Sequence, residues 1–285
     1  MKKLLAGGVA AALACLMFAS VATASSHNPK GEYSVFKECP LNRATITDCI
    51  YSLSSKGAFT IGKKTVPLVN PVTLQGGVEG EGEAVQFYGA ENGDTLSKTP
   101  QPVPGGLLGI TAPTWWPKFI QDWFNNLINE GFTGVNATIE LAGATKGLTG
   151  IKLNTTNLLI ESGTALGLPS KVHLENAILG SSCYIGSDKA PVQINFTSGT
   201  DGALKGNKGT LAFNEEFTII TLSGGKLVNN SFVAPATNGC GGIFSFFVGP
   251  LVDSIIGVPA GKGVNSASLE GVIKDGLAEA VKASE

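Results

Sequence analysis

Short stretches in which apolar and polar residues alternate recur along most of the chain, separated by glycine, asparagine or proline. Alternation with a period of two places successive side chains on opposite faces, so each stretch is predicted to be a half-buried β-strand. The predicted strands include residues 32–37, 49–54, 58–61, 137–141, 150–154, 158–161, 171–174, 192–197, 210–213 and 217–222. Many short strands with regular turns predict a mainly β fold, either an antiparallel β-sandwich or a β-barrel.

A helical periodicity follows a proline-rich connector. Five prolines between residues 99 and 117 exclude a regular strand or helix there. The apolar residues that follow have the spacing of one helical face; they are Trp116, Phe119, Ile120, Trp123, Phe124 and Leu127. An amphipathic helix ending near Gly131 is therefore predicted. The final residues, 269–283, are predicted to form a second short helix.

Three sequence landmarks occur twice in the same order. They are I-G-x4-P at 61–67 and 185–191, L-x7-P at 96–104 and 227–235, and G-V-N at 134–136 and 263–265. We infer an internal duplication whose copies span about 32–143 and 150–273. Because each copy has few large apolar residues for its length, the two sequence-related halves are expected to close one compact core rather than form two domains.

The N-terminal residues have the organisation of a secretory signal. Two lysines precede an apolar run at 4–21, and an A-x-A motif follows at 22–24. A membrane anchor is the alternative, but the run is rich in alanine and no charged stop-transfer segment follows it. Residues 1–24 are therefore predicted to be a signal peptide. The mature chain, 25–285, is expected to be secreted, extracellular or located in the cell envelope.

Four cysteines follow the predicted signal peptide: Cys39, Cys49, Cys183 and Cys240. An even number of cysteines in an oxidising compartment predicts two disulfides. Of the three possible pairings, the simplest joins Cys39 to Cys49 and Cys183 to Cys240, so that one bridge staples each predicted half. A metal site is the alternative, but the chain lacks the C-x2-C spacing or histidine partners that it needs.

Composition narrows the classes of function. Charged residues make up 15% of the chain and the formal net charge is −2. With no basic stripe, neither nucleic acid nor strong electrostatic attraction to an anionic membrane is expected. No nucleophile-elbow, zinc-protease or phosphate-loop motif occurs. We therefore predict a protein that is not an enzyme, with no catalytic residue and no cofactor, although an enzyme that uses two carboxylates would leave no such motif.

The mature chain has two histidines, His27 and His173. His27 lies next to the predicted cleavage site. In the predicted strand around His173, Val172 and Leu174 are expected to face inward. His173 is therefore expected on a solvated strand face with the charged residues, rather than as a catalytic base.

Glu79, Glu81 and Glu83 alternate in a glycine-rich run. On a strand their carboxylates would lie on one side, and a calcium ion could screen their repulsion, with Glu91 and Asp94 as helpers. A water-exposed edge explains the same pattern. No metal is assigned, and the three glutamates are weak calcium candidates.

The strongest candidate for a functional surface is a cluster of aromatic residues. All three tryptophans lie within nine residues of each other, beside two phenylalanines; the candidates are Trp115, Trp116, Phe119, Trp123 and Phe124. An aromatic helix can lie at a membrane interface, line an apolar ligand cavity or stack on sugars. A helix that plugs the end of a β core has the same periodicity, and this buried role is the expected one. The nearly uncharged run 241–258 is also expected to be buried.

Part of the C-terminal half resembles a pattern in uncharacterised secreted proteins of actinobacteria. The matching segments are Cys183-Tyr184-Ile185-Gly186-Ser187-Asp188 with Pro191-Val192, the run from Asn229 to Pro235, and Gly239-Cys240-Gly241. The resemblance implies secretion and a lineage but no activity. It also places Cys183 and Cys240 in matching positions, consistent with a bridge between them.

Three functions fit these features. The leading hypothesis is a secreted, non-catalytic β-rich protein of the cell surface or envelope with a binding or structural role. The second is a carrier or pore-like protein for a lipid or other apolar small molecule, which requires an apolar cavity beside Trp123. The third is a hydrolase of envelope polymers that uses two carboxylates facing each other across a cleft.

Overall fold

The computed structural model of the protein describes residues 27–80, 85–106, 111–130, 133–144 and 147–285. The predicted signal peptide, residues 1–24, lies outside the described residues, and so do Glu81 and Glu83 of the acidic run.

The first part of the described chain is mostly strands, with one α-helix. In order, its elements are a 3-10 helix Gly31–Phe36, β1 Asp48–Ile61, β2 Lys64–Pro67, β3 Val72–Glu79, β4 Gln86–Gly89, β5 Gln101–Pro102, α1 Lys118–Glu130 and β6 Asn136–Leu141. Helix α1 therefore occupies the position where the aromatic periodicity predicts a helix.

The remainder is also dominated by strands. Its elements are β7 Lys152–Leu153, α2 Thr155–Ile160, β8 Leu166–Glu175, β9 Tyr184–Ile185, β10 Val192–Phe196, β11 Thr200–Asp201, β12 Leu204–Lys205, β13 Thr210–Phe213, β14 Ile219–Asn229, β15 Thr237–Asn238, a 3-10 helix Gly242–Phe244, α3 Ser245–Ile256, β16 Ser266–Leu277 and α4 Ala278–Ala283. Helix α3 follows β15 and precedes the long strand β16.

Two seven-stranded antiparallel sheets contain most of these strands. The first has the order β13-β14-β16-β1-β3-β4, with β2 also paired to β1. The second has the order β15-β9-β8-β6-β5, and β7 and β10 also pair with β8. Strand β8 is long enough to pair with β10 through its first half and with β6 through its second half.

The inner faces of the two sheets share one apolar core. Strand β10 is a clear example, because Val192, Ile194 and Phe196 are buried while the residues between them are exposed. Apolar side chains of both sheets belong to one cluster, so the sheets pack face to face as a β-sandwich. The prediction of a mainly β, antiparallel fold with few short helices is confirmed.

A second, smaller cluster covers the outer face of the first sheet. Cys49 and Ile50 are neighbours on β1 and therefore point to opposite faces. Ile50 belongs to the core between the sheets, whereas Cys49 packs with Phe36, Ile219 and Val281. The N-terminal segment and α4 therefore close this outer face.

Both predicted disulfides form, Cys39–Cys49 and Cys183–Cys240. The first ties the N-terminal segment to β1. The second ties the residue before β9 to the segment that leads into α3. All four cysteines are buried, and the two bridges indicate an oxidising compartment.

Both sheets contain strands from both predicted halves. Strands β1 to β4 lie in the first sheet with β13, β14 and β16, while β5 and β6 lie in the second with β7 to β10 and β15. Each of the helices α1 and α3 lies between the second and third repeated landmarks. These placements agree with related halves, and the internal duplication stays a prediction.

The prediction of a helix over residues 269–283 is wrong for most of that segment. Residues up to Leu277 belong to β16, and only Ala278–Ala283 form a helix. Strand β16 pairs with β1 on one side and β14 on the other. Two glycines, Gly271 and Gly276, disfavour a helix in the segment, so the strand pairing prevails over its amphipathic pattern.

Strand β16 also holds a carboxyl group with an altered acidity. Asp275 lies opposite Ile50 of β1 and Ile220 of β14, and its Oδ1 is buried without a hydrogen-bond partner in the described part of the chain. Burial, together with the negative charge of Asp48, raises the pKa of Asp275 to about 7. The folded protein therefore favours the neutral form of this side chain.

We expect Asp275→Asn to remove part of the pH dependence of stability. The pKa of an aspartate in the unfolded chain is about 3.9, whereas that of Asp275 in the folded protein is about 7. Between these values the folded state binds more protons, so the unfolding free energy falls as the pH rises from about 4 to about 7. A shift of this size corresponds to roughly 4 kcal/mol. Urea unfolding of the variant should show a higher unfolding free energy than the native protein at neutral pH, and a similar one at about pH 4.

The exposed Asp94 offers the matched control. Asp94→Asn should retain the native decline of unfolding free energy between about pH 4 and 7. If the unfolding free energies of Asp275→Asn and of the native protein depend on pH in the same way, the raised pKa of Asp275 is contradicted.

Candidate functional site

Three aromatic side chains of the α1 region project into solvent. Trp115 is 81% exposed, and Phe119 and Trp123 are also more than half exposed. We call these three residues the α1 patch. The expectation that the aromatic helix plugs the β core is wrong for these side chains, because periodicity identifies an apolar face but not what covers it.

The other two aromatic candidates stabilise the segment internally. Trp116 and Phe124 are half-buried, and their rings meet edge to face with centroids 5.6 Å apart. The Asn125 side chain accepts a hydrogen bond from the Ala112 N–H at 2.8 Å, and the Gln121 amide donates to the Trp116 carbonyl at 2.6 Å. These contacts fold the segment onto itself and leave the α1 patch uncovered.

A second apolar surface surrounds the start of α3. It consists of Ile243, Phe244, Phe246, Phe247 and Leu251, each at least half exposed, and we call it the α3 patch. Ile243 reaches 87% and Phe246 81%. The prediction that this run is buried is therefore wrong for its first half. Sequence reasoning recognised the run as apolar but did not predict it as a site.

The opposite face of α3 is fixed to the sandwich. Val252 is buried, and Ile256 packs against the core. The Asp253 side chain accepts a hydrogen bond from the Thr237 N–H at 2.8 Å, and the Ile256 carbonyl accepts one from the Lys63 N–H at 2.6 Å. Gly257, with a φ of 82°, ends the helix in the left-handed conformation. The exposed side chains thus project from a firmly held helix.

Two described residues that flank the α1 segment lie beside α3. Gly106 and Val135, which lie on either side of the α1 segment, line the same cavity as Val252 and Ile256 of α3. The Val103 N–H donates to the Val135 carbonyl at 2.8 Å, so the chain at these two described residues runs side by side. The described residues that flank the α1 segment therefore lie near α3.

The patches carry few charges. Asp253 is the one charged residue between Gly239 and Ile256. In α1, Lys118 and Asp122 form an ion pair with an N–O distance of 2.9 Å. Contact with another surface through these patches therefore depends on apolar area rather than on charge. Among the described residues, no helix combines the length and the apolar character needed to cross a membrane.

An apolar cavity of about 90 Å³ lies between the sheets beneath α3. Its lining is aliphatic and aromatic, apart from Lys64 and Gln101. Gln101 is fully engaged, because its oxygen accepts from the backbone N–H groups of Val69 and Asn70 and its nitrogen donates to the Asn70 carbonyl. The second functional hypothesis placed a cavity beside Trp123, but α3 and the sheets line this one instead.

A separate cleft of about 350 Å³ is more polar. It lies between the loops at 89–98 and 141–149, with Glu140 and Lys171 in its wall. Lys171 contacts Asp188 with an N–O distance of 2.9 Å, and this ammonium holds the pKa of Asp188 below its usual range. The cleft therefore combines both charge signs.

His173 lies beside this cleft, on the outer face of the second sheet. Its ring stacks on Tyr184 at 4.5 Å between centroids, and its Nδ1 lies 3.6 Å from an oxygen of Glu140 and 3.9 Å from one of Glu175. As predicted, it faces outward among charged residues. The expected solvation is wrong, because the side chain is only 15% exposed and the aromatic ring of Tyr184 covers it.

Of the weak calcium candidates, Glu79 alone lies within the described residues. Its carboxylate accepts a hydrogen bond from the Thr45 hydroxyl at 3.0 Å, and a hydrogen bond with Glu79 raises the pKa of Tyr88. The described residues contain no cluster of three or more metal-binding side chains. The calcium hypothesis stays a prediction.

Comparison of the chain with protein-family models, curated proteins and solved structures finds no match. The resemblance to secreted actinobacterial proteins therefore stays a prediction, and the function is inferred from the geometry.

Proposed function

We propose that the protein is a secreted, non-catalytic protein of the cell surface or envelope that binds a lipid membrane through its α1 and α3 patches. The observation that carries this proposal is the exposure of eight large apolar side chains in these two patches. Large exposed apolar patches on a folded protein are typical of interaction surfaces.

A lipid surface suits the chemistry of the patches. The α1 patch supplies tryptophan, which favours the boundary between lipid headgroups and acyl chains, and the α3 patch supplies phenylalanine and aliphatic side chains for the apolar layer. Full burial of one such side chain contributes about 1.5–3 kcal/mol. Several side chains inserting together would hold the protein at a membrane without a spanning segment.

The sparse charge predicts which membranes are bound. The charges in these segments are Asp253, Glu130 and the internal Lys118–Asp122 ion pair. Because no unpaired positive charge is among them, attraction to anionic headgroups contributes little. Binding should therefore occur on neutral phosphatidylcholine and persist in about 1 M salt, where the screening length is only ~3 Å.

Co-sedimentation with phosphatidylcholine vesicles tests the proposal. We expect the protein to pellet with vesicles at low salt and equally at about 1 M sodium chloride. Recovery in the supernatant under both conditions would refute membrane binding. Recovery there together with concentration-dependent dimers in size-exclusion chromatography would instead assign the patches to contact between two copies of the chain.

Secretion is part of the proposal. The two disulfides agree with an oxidising compartment, and the N-terminal sequence supports export. Detection of the mature chain, cleaved after Ala24, in the medium or envelope of the source organism would support this part of the proposal, whereas an uncleaved intracellular chain would contradict it.

The polar cleft favours a second candidate function, hydrolysis of an envelope polymer by carboxylates. Glu140 lines the cleft and approaches His173, and Glu175 approaches the same ring nitrogen. Release of soluble sugars from purified envelope material, abolished by Glu140→Gln and retained by Glu279→Gln, would favour this function. If the native protein releases no soluble sugar, the hydrolase function is excluded.

A further inference from the structure

Lys64 occupies an unusual position for a lysine. It lies on β2, which pairs with β1 at the side of the first sheet. Side chains two residues apart on a strand share a face, and Lys64, Val66 and Leu68 all line the apolar cavity beneath α3. The lysine therefore stands in the wall of the cavity rather than on the outer surface of the sandwich.

The Lys64 ammonium also has no partner within the described part of the chain. It forms no ion pair or hydrogen bond with the residues that the structure describes. Partial burial lowers the pKa of Lys64 below its usual range, because the charged form loses part of its hydration. An inward-pointing lysine can protect a strand from pairing with another chain, but that role requires no apolar cavity beside it.

We propose that this cavity binds an anionic amphiphile, with its carboxylate on Lys64 and its hydrocarbon tail among the apolar side chains. The cavity of about 90 Å³ is smaller than the ~150 Å³ cavities that hold benzene. In the present conformation the cavity has room for a tail of only a few carbon atoms. This inference concerns the interior of the sandwich and is independent of membrane binding by the patches.

Calorimetric titration with straight-chain carboxylates, from butanoate to decanoate, measures the length of the bound tail. Affinity should rise about fourfold per methylene while the tail fills the cavity, and then level off. The matched alcohols and alkylammonium ions should bind more weakly, because they cannot pair with the Lys64 ammonium. Equal affinity for carboxylate and ammonium head groups would overturn the proposal.

Lys64→Met keeps an unbranched side chain, shorter by one atom, and removes the charge. It should weaken carboxylate binding about tenfold while leaving binding of the alcohol unchanged. Lys205→Met makes the same change of charge on an exposed position of β12, and should bind carboxylates like the native protein. Unchanged carboxylate affinity in Lys64→Met would refute the assignment.

Val252→Phe places a ring into the cavity and should abolish binding of carboxylate and alcohol alike. The native circular-dichroism spectrum establishes that this variant is folded; if it does not fold, Lys64→Met alone decides. Vesicle binding distinguishes the two proposals, because Lys64→Met should co-sediment with phosphatidylcholine like the native protein. Carboxylate binding that survives in folded Val252→Phe would place the ligand on the surface instead.

Discussion

Replacing Phe246 and Phe247 together by serine is expected to lower the partition of the protein onto phosphatidylcholine vesicles about 100-fold. Each phenylalanine contributes at least about 1.5 kcal/mol when it enters the apolar layer, and the two contributions add. Both side chains are exposed, so thermal stability should change little. Vesicle titration followed by sedimentation measures the partition coefficient.

The chain offers a matched control for this change. Phe213 and Phe217 are also exposed and lie with their ring centroids 5.8 Å apart. Phe213 pairs with Ile220, and Ile220 pairs with Asp275. These residues do not lie at the end of the first sheet that contacts α3. The double serine variant at these positions should bind vesicles like the native protein. Equal losses in both double variants would indicate non-specific adsorption and contradict the role of the α3 patch.

Removal of the Cys183–Cys240 bridge is expected to cost about 4 kcal/mol of unfolding free energy. The cysteines are 57 residues apart, and closing a loop of this length removes that much conformational entropy from the unfolded chain in the loop-closure model. The bridge also directly precedes α3 and its exposed patch. Cys183→Ala combined with Cys240→Ala, compared with the native protein by guanidinium unfolding, measures the cost.

The other bridge provides the comparison. Cys39 and Cys49 are only 10 residues apart, so the corresponding double alanine variant should lose about 3 kcal/mol. A greater loss from the short bridge than from the long one would show that local packing rather than loop closure dominates.

Strands with one buried face were predictable, whereas β16 was predicted as a helix. The strands predicted at 32–37 and 158–161 are wrong, because these residues lie mostly in the first 3-10 helix and in α2. In β10 the alternation of Val192, Ile194 and Phe196 with polar residues reports burial directly. The cysteine pairing was also predictable, since sequence neighbours in an oxidised chain are the simplest partners. The order of the strands in each sheet was not, because long-range pairing leaves no local signal.

The exposure of the side chains in the two helical patches was not predictable from the sequence pattern. Phe119 and Phe124 both fit one helical face, yet one is exposed and the other half-buried, because the segment packs on itself through Trp116. Helix α3 contains Pro250 in its interior, where a proline disfavours helical structure. One proline removes a single backbone hydrogen bond, and the buried face at Val252 together with the cap at Gly257 retains the helix.

The proposed ligand site at Lys64 was even less predictable from the sequence. Lys64 in an alternating edge strand looks like an ordinary solvated lysine. The neighbours of Lys64 form a cavity wall only because α3 packs across the end of the sandwich. A pattern of single residues does not encode such a juxtaposition of distant elements.

Tryptophan fluorescence tests membrane binding most directly, because all three tryptophans, Trp115, Trp116 and Trp123, lie in the α1 segment. Two of them, Trp115 and Trp123, belong to the exposed α1 patch. On addition of phosphatidylcholine vesicles with brominated acyl chains, we expect a blue-shifted emission that the bromines quench, because the exposed tryptophans enter the membrane. An emission spectrum that neither shifts nor loses intensity at saturating lipid would contradict it.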